Sequence, residues 1–143
     1  MSVSAFTTAL SAAQSKAQYT PAVQAAADKV NADAFSAAIA VVLAGDDSAS
    51  VEGEQAAALQ SAFEFATLLV KQLSSEPGQT EMLTLYKYFK RSRNEEPAQP
   101  SFYQLESKYK YNAWKEISHI SQQRAQANYI KEVNDLIEKY GTQ

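Results

Sequence analysis

Apolar residues recur at helical spacing along almost the whole chain, and no stretch alternates apolar and polar residues with β-branched side chains. A helix brings every third or fourth residue to one face, whereas a half-buried strand requires a period of two. Near the amino terminus, Val3, Phe6 and Leu10 form a stripe of this kind. The spacing therefore predicts an all-α protein.

Interruptions of the pattern divide the chain into six predicted helices. Thr20 before Pro21 is a typical helix start, because the threonine can cap the helix and proline suits its first position. The polar segment 45–50 separates a predicted amino-terminal helical extension, 1–50, from a predicted ligand-binding domain, 51–143. The helices are expected over 3–17, 21–44, 51–73, 80–93, 105–117 and 121–140.

The remaining helix ends are predicted from single residues. Ser50, Thr80 and Ser121 are expected to cap the helices that follow them. Gly141 is expected to end the last helix. Residues 94–101 contain two prolines and predict a loop.

Composition narrows the class of protein. The 143 residues include no cysteine, which excludes disulfides, thiol catalysis and cysteine-ligated zinc. The longest apolar run, 37–45, is too short to cross a bilayer, and no basic signal-peptide start precedes it. The mildly negative net charge of −3 argues against a nucleic-acid partner. We therefore expect a cytoplasmic protein.

The sequence contains no recognisable catalytic arrangement. The single histidine, His119, lacks a nucleophile or metal-ligand partner at a known spacing, and we expect it at a surface helix end. Glu95 and Glu96 fall in the predicted loop and are interpreted as solvated surface. The four glycines form no phosphate-binding loop. We expect no enzyme activity, no metal and no cofactor.

Cationic and tyrosine side chains are concentrated in the second half of the chain. Residues 1–57 contain two lysines and six acidic residues, a net charge of −4, whereas seven lysines and arginines lie between Lys87 and Lys115. Tyr86 and Lys90 are four residues apart and share a helix face. A local basic patch on a nearly neutral domain favours a compact phosphorylated ligand.

Five ordered sequence blocks resemble the acyl-CoA-binding protein family over about residues 58–143. The resemblance implies a four-helix acyl-CoA-binding bundle, here preceded by about two additional amino-terminal helices. It also implies a monomeric, non-catalytic carrier and pool former for medium- and long-chain acyl-CoA, which exchanges its ligand transiently with enzymes or membranes. The matching blocks are 85–90, Pro100, 110–114, 125–130 and 139–141.

The same resemblance assigns roles to eight residues of this chain. The 3′-phosphate of coenzyme A would be bound by Tyr86, Lys90 and Lys110. Tyr129 would hold the adenine and ribose, with further nucleotide contacts from Phe89 and Lys71. The acyl chain would be contacted by Met82 and Leu83.

The chain departs from the family pattern at several of these positions. Phe89 replaces a tyrosine, and Glu76 and Glu106 stand where the family often has lysine. Arg91 and Arg93 are expected to replace lost phosphate contacts, because arginine binds phosphate in a bidentate manner.

An alternative class of function uses the same basic segment. A helical interaction module would present Lys87 to Arg93 to anionic lipid head groups or another polyanion. Salt dependence separates the two classes, since polyanion binding weakens steeply with ionic strength and the acyl term does not. The extension is expected to pack on the domain, where it would lengthen the acyl groove, form a dimer face or brace the third helix.

Overall fold

The structure is a computed structural model that describes residues 3–97 and 105–143. Within these ranges the regular secondary structure is α-helical, apart from one short 3-10 helix and an isolated backbone bridge between Leu73 and Thr142. The predicted all-α class is confirmed. The α-helices are α1 (Ser4–Gln14), α2 (Pro21–Asp28), α3 (Ala32–Ala44), α4 (Gly53–Leu69), α5 (Gln79–Ser92), α6 (Leu105–Glu116) and α7 (Gln122–Tyr140), and the 3-10 helix is Val70–Gln72.

The prediction of one continuous helix over 21–44 is wrong. The helix ends at Asp28, and a new helix, α3, is capped by Asn31, which accepts a hydrogen bond from the Ala34 amide at 3.1 Å. Gln14 stabilises the break from α1, donating to the carbonyls of Ala27 and Val30 at 3.1 and 2.9 Å. The extension therefore contains three helices rather than about two.

The other helix ends follow the prediction in part. Thr20 caps α2 and Ser121 caps α7, each accepting a hydrogen bond from the amide three residues later. Gly141, with φ +73°, ends α7 in a conformation that favours glycine. The predicted caps at Ser50 and Thr80 are wrong, because α4 starts after Glu52 and α5 after Gly78.

The apolar core lies between the extension and helices α4 and α7. Its centre contains three fully buried phenylalanines, one from each of α1, α3 and α4. The Phe6 ring centroid lies 5.5 Å from that of Phe35 and 5.6 Å from that of Phe65. Each such aromatic pair contributes about 0.5–1.5 kcal/mol beyond its buried area. Residues 3–50 thus share one core with the remainder, and the division of the chain into an extension, 1–50, and a domain, 51–143, stays a prediction.

Two polar side chains of α7 form hydrogen bonds with backbone groups at the ends of helices in the extension. Arg124 Nη1 donates to the carbonyls of Val42, Leu43 and Gly45, at 2.6, 3.2 and 3.3 Å, which satisfies the carboxyl end of α3. Buried Asn134 accepts from the Phe6 amide at 2.9 Å in the first turn of α1. These bonds hold the extension against α7. The extension leaves the α5–α6 side of the bundle uncovered.

Candidate ligand-binding site

The ring of Tyr86 lies within 6 Å of two lysine ammonium groups that come from different helices. Lys90, one turn further along α5, places its Nζ 5.8 Å from the ring centroid. Lys110, on α6, places its Nζ 5.2 Å from the same centroid. Both distances fall within the range of cation–π attraction. The packing of α5 against α6 thus brings three predicted ligand residues together.

Each of the two lysines also has a carboxylate partner. Lys90 Nζ lies 3.3 Å from Glu95 Oε1, and Lys110 Nζ lies 3.4 Å from Glu106 Oε1. Arg93 approaches the same Glu95 oxygen at 3.6 Å and stacks over the Phe89 ring at 5.3 Å. The positive charge around Tyr86 is therefore partly neutralised within the chain.

An aromatic wall adjoins this basic cluster on the side of α7. The Tyr129 ring centroid lies 5.1 Å from that of Phe63 and 6.3 Å from that of Phe89. Burial raises the pKa of the Tyr129 phenol above its usual range, so the group is neutral at physiological pH. The wall borders a cavity of about 260 Å³, lined by Val70, Pro77, Met82, Leu85, Tyr86, Phe89 and Tyr129.

A larger, mainly apolar groove runs between α5 and α6. It encloses about 570 Å³ and is lined by Gln79, Met82, Leu83, Tyr86, Glu106, Tyr109 and Lys110. Met82 is 57% exposed and Tyr109 51% exposed, which is unusual for large apolar side chains on neighbouring helices. The groove therefore combines uncovered apolar surface with the ammonium group of Lys110.

Lys71 lines a separate cavity of about 510 Å³, together with Glu76, Pro77 and Met82. Met82 lines this cavity and also the two described above. Every predicted ligand residue except Lys90 lines one of these cavities, and Lys90 contacts them through the Tyr86 ring. Pro100, one of the family blocks, lies outside the described residues.

Glu96 is exposed and the Glu95 side chain is 40% exposed, in keeping with the sequence interpretation. Glu95 is in addition the partner of Lys90 and Arg93, which was not predicted. The one sequence signal for this role was the preceding Asn94, because asparagine tolerates the left-handed conformation that turns the chain back at a helix end.

Two further polar side chains near the site connect separate parts of the chain. Arg91 donates from Nε to the Ile120 carbonyl at 2.8 Å and therefore ties α5 to the start of α7. His119 is an exposed surface residue, with Nε2 3.0 Å from Asp47 Oδ2. Neither contact was indicated by local spacing, because each joins residues that are far apart in sequence.

The residues that the structure describes form neither a metal-binding cluster nor a membrane-spanning helix. Residues 3–97 and 105–143 contain no group of three or more histidine, aspartate or glutamate residues placed to hold a metal ion. No helix in these ranges has the length and apolar content needed to cross a membrane.

Comparison with known proteins identifies the family to which this arrangement belongs. A family model described as Acyl CoA binding protein matches residues 60–133, just over half of the chain. The chain belongs to the acyl-CoA-binding protein family. This confirms the resemblance inferred from the five sequence blocks, and the family is non-enzymatic and needs no cofactor.

Individual members of the acyl-CoA-binding protein family show the same relationship. The chain is 35% identical over 81 residues to Acyl-CoA-binding protein homolog 1 of Caenorhabditis elegans, a match that covers 55% of this chain and 94% of that protein. It is 30% identical over 82 residues to Acyl-CoA-binding protein 2 of Saccharomyces pastorianus, covering 56% and 94%. The Acyl-CoA-binding protein of Saccharomyces cerevisiae is likewise 30% identical over 82 residues, with the same coverage of 56% and 94%.

Proposed function

We propose that this protein binds medium- and long-chain fatty acyl-CoA thioesters and acts as a cytoplasmic carrier and pool former. The observation that carries the proposal is the Tyr86 ring flanked by Lys90 and Lys110, directly beside an uncovered apolar groove. One end of this surface suits a phosphate and the other suits a hydrocarbon chain. Transient exchange with acyl-CoA-using enzymes or membranes, and a monomeric state, belong to the same proposal.

The phosphorylated end of the ligand is assigned to the basic cluster. Tyr86, Lys90 and Lys110 would bind the 3′-phosphate, with each charge-assisted hydrogen bond contributing about 1.5–3 kcal/mol. The half-buried Phe89 would offer its ring to the adenine and ribose, where stacking contributes about 1–3 kcal/mol per base, whereas the buried Tyr129 would reach them only at the edge of the cavity it lines. Lys71, in its neighbouring cavity, would supply a further contact to the nucleotide.

The acyl chain is assigned to the groove between α5 and α6. Met82 and Leu83 form its wall on α5, and Tyr109 faces them from α6. Each methylene buried there contributes about 0.8 kcal/mol. Affinity should therefore rise with the length of the acyl chain until the groove is filled.

Titration calorimetry tests this assignment. We expect acyl-CoAs of graded chain length to bind with rising affinity, and Lys90→Ala and Lys110→Ala each to weaken palmitoyl-CoA binding about 10- to 100-fold through loss of a charged hydrogen bond. Lys115→Ala, on the exposed side of α6, is the matched control and should bind as wild type. Wild-type affinity in both site variants would refute the residue assignment.

The anionic-lipid alternative gives a different result in the same apparatus. Binding to anionic vesicles without acyl-CoA, lost steeply with added salt, would replace the carrier proposal. The local structure reduces the charge available for this outcome only in part, because Lys90 and Arg93 share the single carboxylate of Glu95. Arg91 keeps its charge while donating to a backbone carbonyl, so the salt dependence of binding decides between the two functions.

A further inference from the structure

Both lysines that would bind phosphate already face a carboxylate of their own chain. Glu95 approaches Lys90 to 3.3 Å and Glu106 approaches Lys110 to 3.4 Å. The two pairs flank the ring of Tyr86, since both ammonium groups lie within 6 Å of its centroid. A phosphate arriving at Tyr86 must therefore take the place of carboxylate oxygens.

The backbone itself directs Glu95 onto Lys90. Two residues after the end of helix α5, Asn94 lies in the left-handed region at φ +57°. The Glu95 amide donates to the Lys90 carbonyl at 2.9 Å. The Asn94 amide donates to the Arg91 carbonyl at 3.1 Å, which completes the paired bonds of a Schellman ending. This turn reverses the chain, so the Glu95 carboxylate reaches Lys90 with little additional ordering.

Glu106 reaches Lys110 through helix geometry alone. It lies four residues before the lysine on α6, the order in which a glutamate–lysine pair is most favourable. The two residues line the same α5–α6 groove.

We propose that Glu95 and Glu106 are built-in competitors for the two lysines, which lower the affinity for the ligand phosphate and speed its release. The inference rests on the proposed function. A site that is free for only part of the time binds with an affinity reduced by that fraction. Both pairs are open to solvent, with the Glu95 and Glu106 side chains 40% and 84% exposed, and such ion pairs correspond to at most about a two- to fivefold effect each. The consequence is a carrier that gives up its cargo more readily than its lysine content suggests.

The test compares charge-neutral variants of these glutamates in the full chain. We expect Glu95→Gln and Glu106→Gln each to tighten palmitoyl-CoA binding about two- to fivefold by calorimetry, with a matching fall in the dissociation rate by stopped flow. Glu96→Gln carries the same charge change one residue away and should bind as wild type. With 3′-dephospho-palmitoyl-CoA the gain should disappear, because the group under competition is missing.

A shortened side chain separates pairing from general repulsion. Glu95→Asp keeps the negative charge but withdraws it by one methylene, so it should also bind more tightly if direct pairing is the cause. Unchanged binding in Glu95→Asp, or an equal gain in Glu96→Gln, would refute competition at the lysines. Weaker binding in Glu95→Gln would also refute it, since the glutamate would then assist the site.

The outcomes distinguish this inference from the proposed function. Absence of palmitoyl-CoA binding in wild type and all variants would refute the carrier function itself. Normal wild-type binding with no gain in Glu95→Gln or Glu106→Gln relative to Glu96→Gln would refute only the competition. Thermal unfolding of each variant, measured alongside, establishes that the compared proteins are folded.

Discussion

The two faces of the bundle differ in how completely they are packed. Where α1, α3 and α4 meet, Phe6, Phe35 and Phe65 are fully buried. Of the residues that the structure describes, α6 has none buried and α5 only Ser92. Native interiors are close-packed, and large uncovered apolar areas usually mark binding surfaces. The contrast places the densest packing on the extension side and leaves the α5–α6 side as the surface on which the proposed ligand would bind.

Phe6→Ala should break this contrast with the largest effect. The substitution removes a fully buried ring that contacts Phe35 and Phe65, and such changes cost about 3–5 kcal/mol of unfolding free energy. Tyr109→Ala, on the half-exposed groove, should change stability by no more than about 0.5 kcal/mol. Urea unfolding measures both. A loss below about 1 kcal/mol for Phe6→Ala would show that the extension is not part of the cooperative core.

Asn134→Ala should give the next largest effect. It removes the side-chain oxygen that accepts the Phe6 amide, and an unsatisfied buried donor costs about 1–3 kcal/mol. Asn128→Ala, a partly exposed asparagine on the same helix, is the matched control. Amide hydrogen exchange should show α1 opening more than α4. Equal stability of the two variants would contradict the view that α7 caps the extension.

Local features of this fold were predictable from sequence, whereas contacts across long sequence distances were not. The caps at Thr20 and Ser121 involve amides three residues away, so composition and spacing indicated them. The break before Asn31 was missed because apolar spacing continues through it. Asn134 acts on Phe6, 128 residues away, and only packing brings the two together.

The candidate site shows the same division. The Tyr86–Lys90 pair followed from helix periodicity, but the approach of Lys110 to that ring depended on how α6 packs against α5. The family resemblance alone predicts that Lys110 shares a phosphate site with Tyr86 and Lys90. The pairing of Glu95 with Lys90 was not predicted because it depends on Asn94 adopting a positive φ, which is uncommon for residues other than glycine.

Glu81 gives the smallest expected effect, because its polar bonds only add to the apolar packing that already holds α5 against α7. Its carboxylate accepts from the Tyr140 hydroxyl at 2.6 Å, the Gly78 amide at 2.8 Å and Lys139 Nζ at 2.9 Å. These bonds, led by that from Tyr140, lower the pKa of Glu81 from 4.5 to about 2. The folded protein therefore favours the ionised carboxylate.

A depressed pKa in the folded state gives stability that is present above pH 4.5 and is lost as the pH falls to about 2. The difference in unfolding free energy between wild type and Glu81→Gln should be constant near neutrality and shrink across this acid range. Tyr140→Phe removes the donor that lowers the folded-state pKa of Glu81 most, so the acid loss should be smaller and should be complete at a higher pH. Parallel stability curves for wild type and Glu81→Gln from pH 6 to pH 2 would show that α5 is held by other contacts.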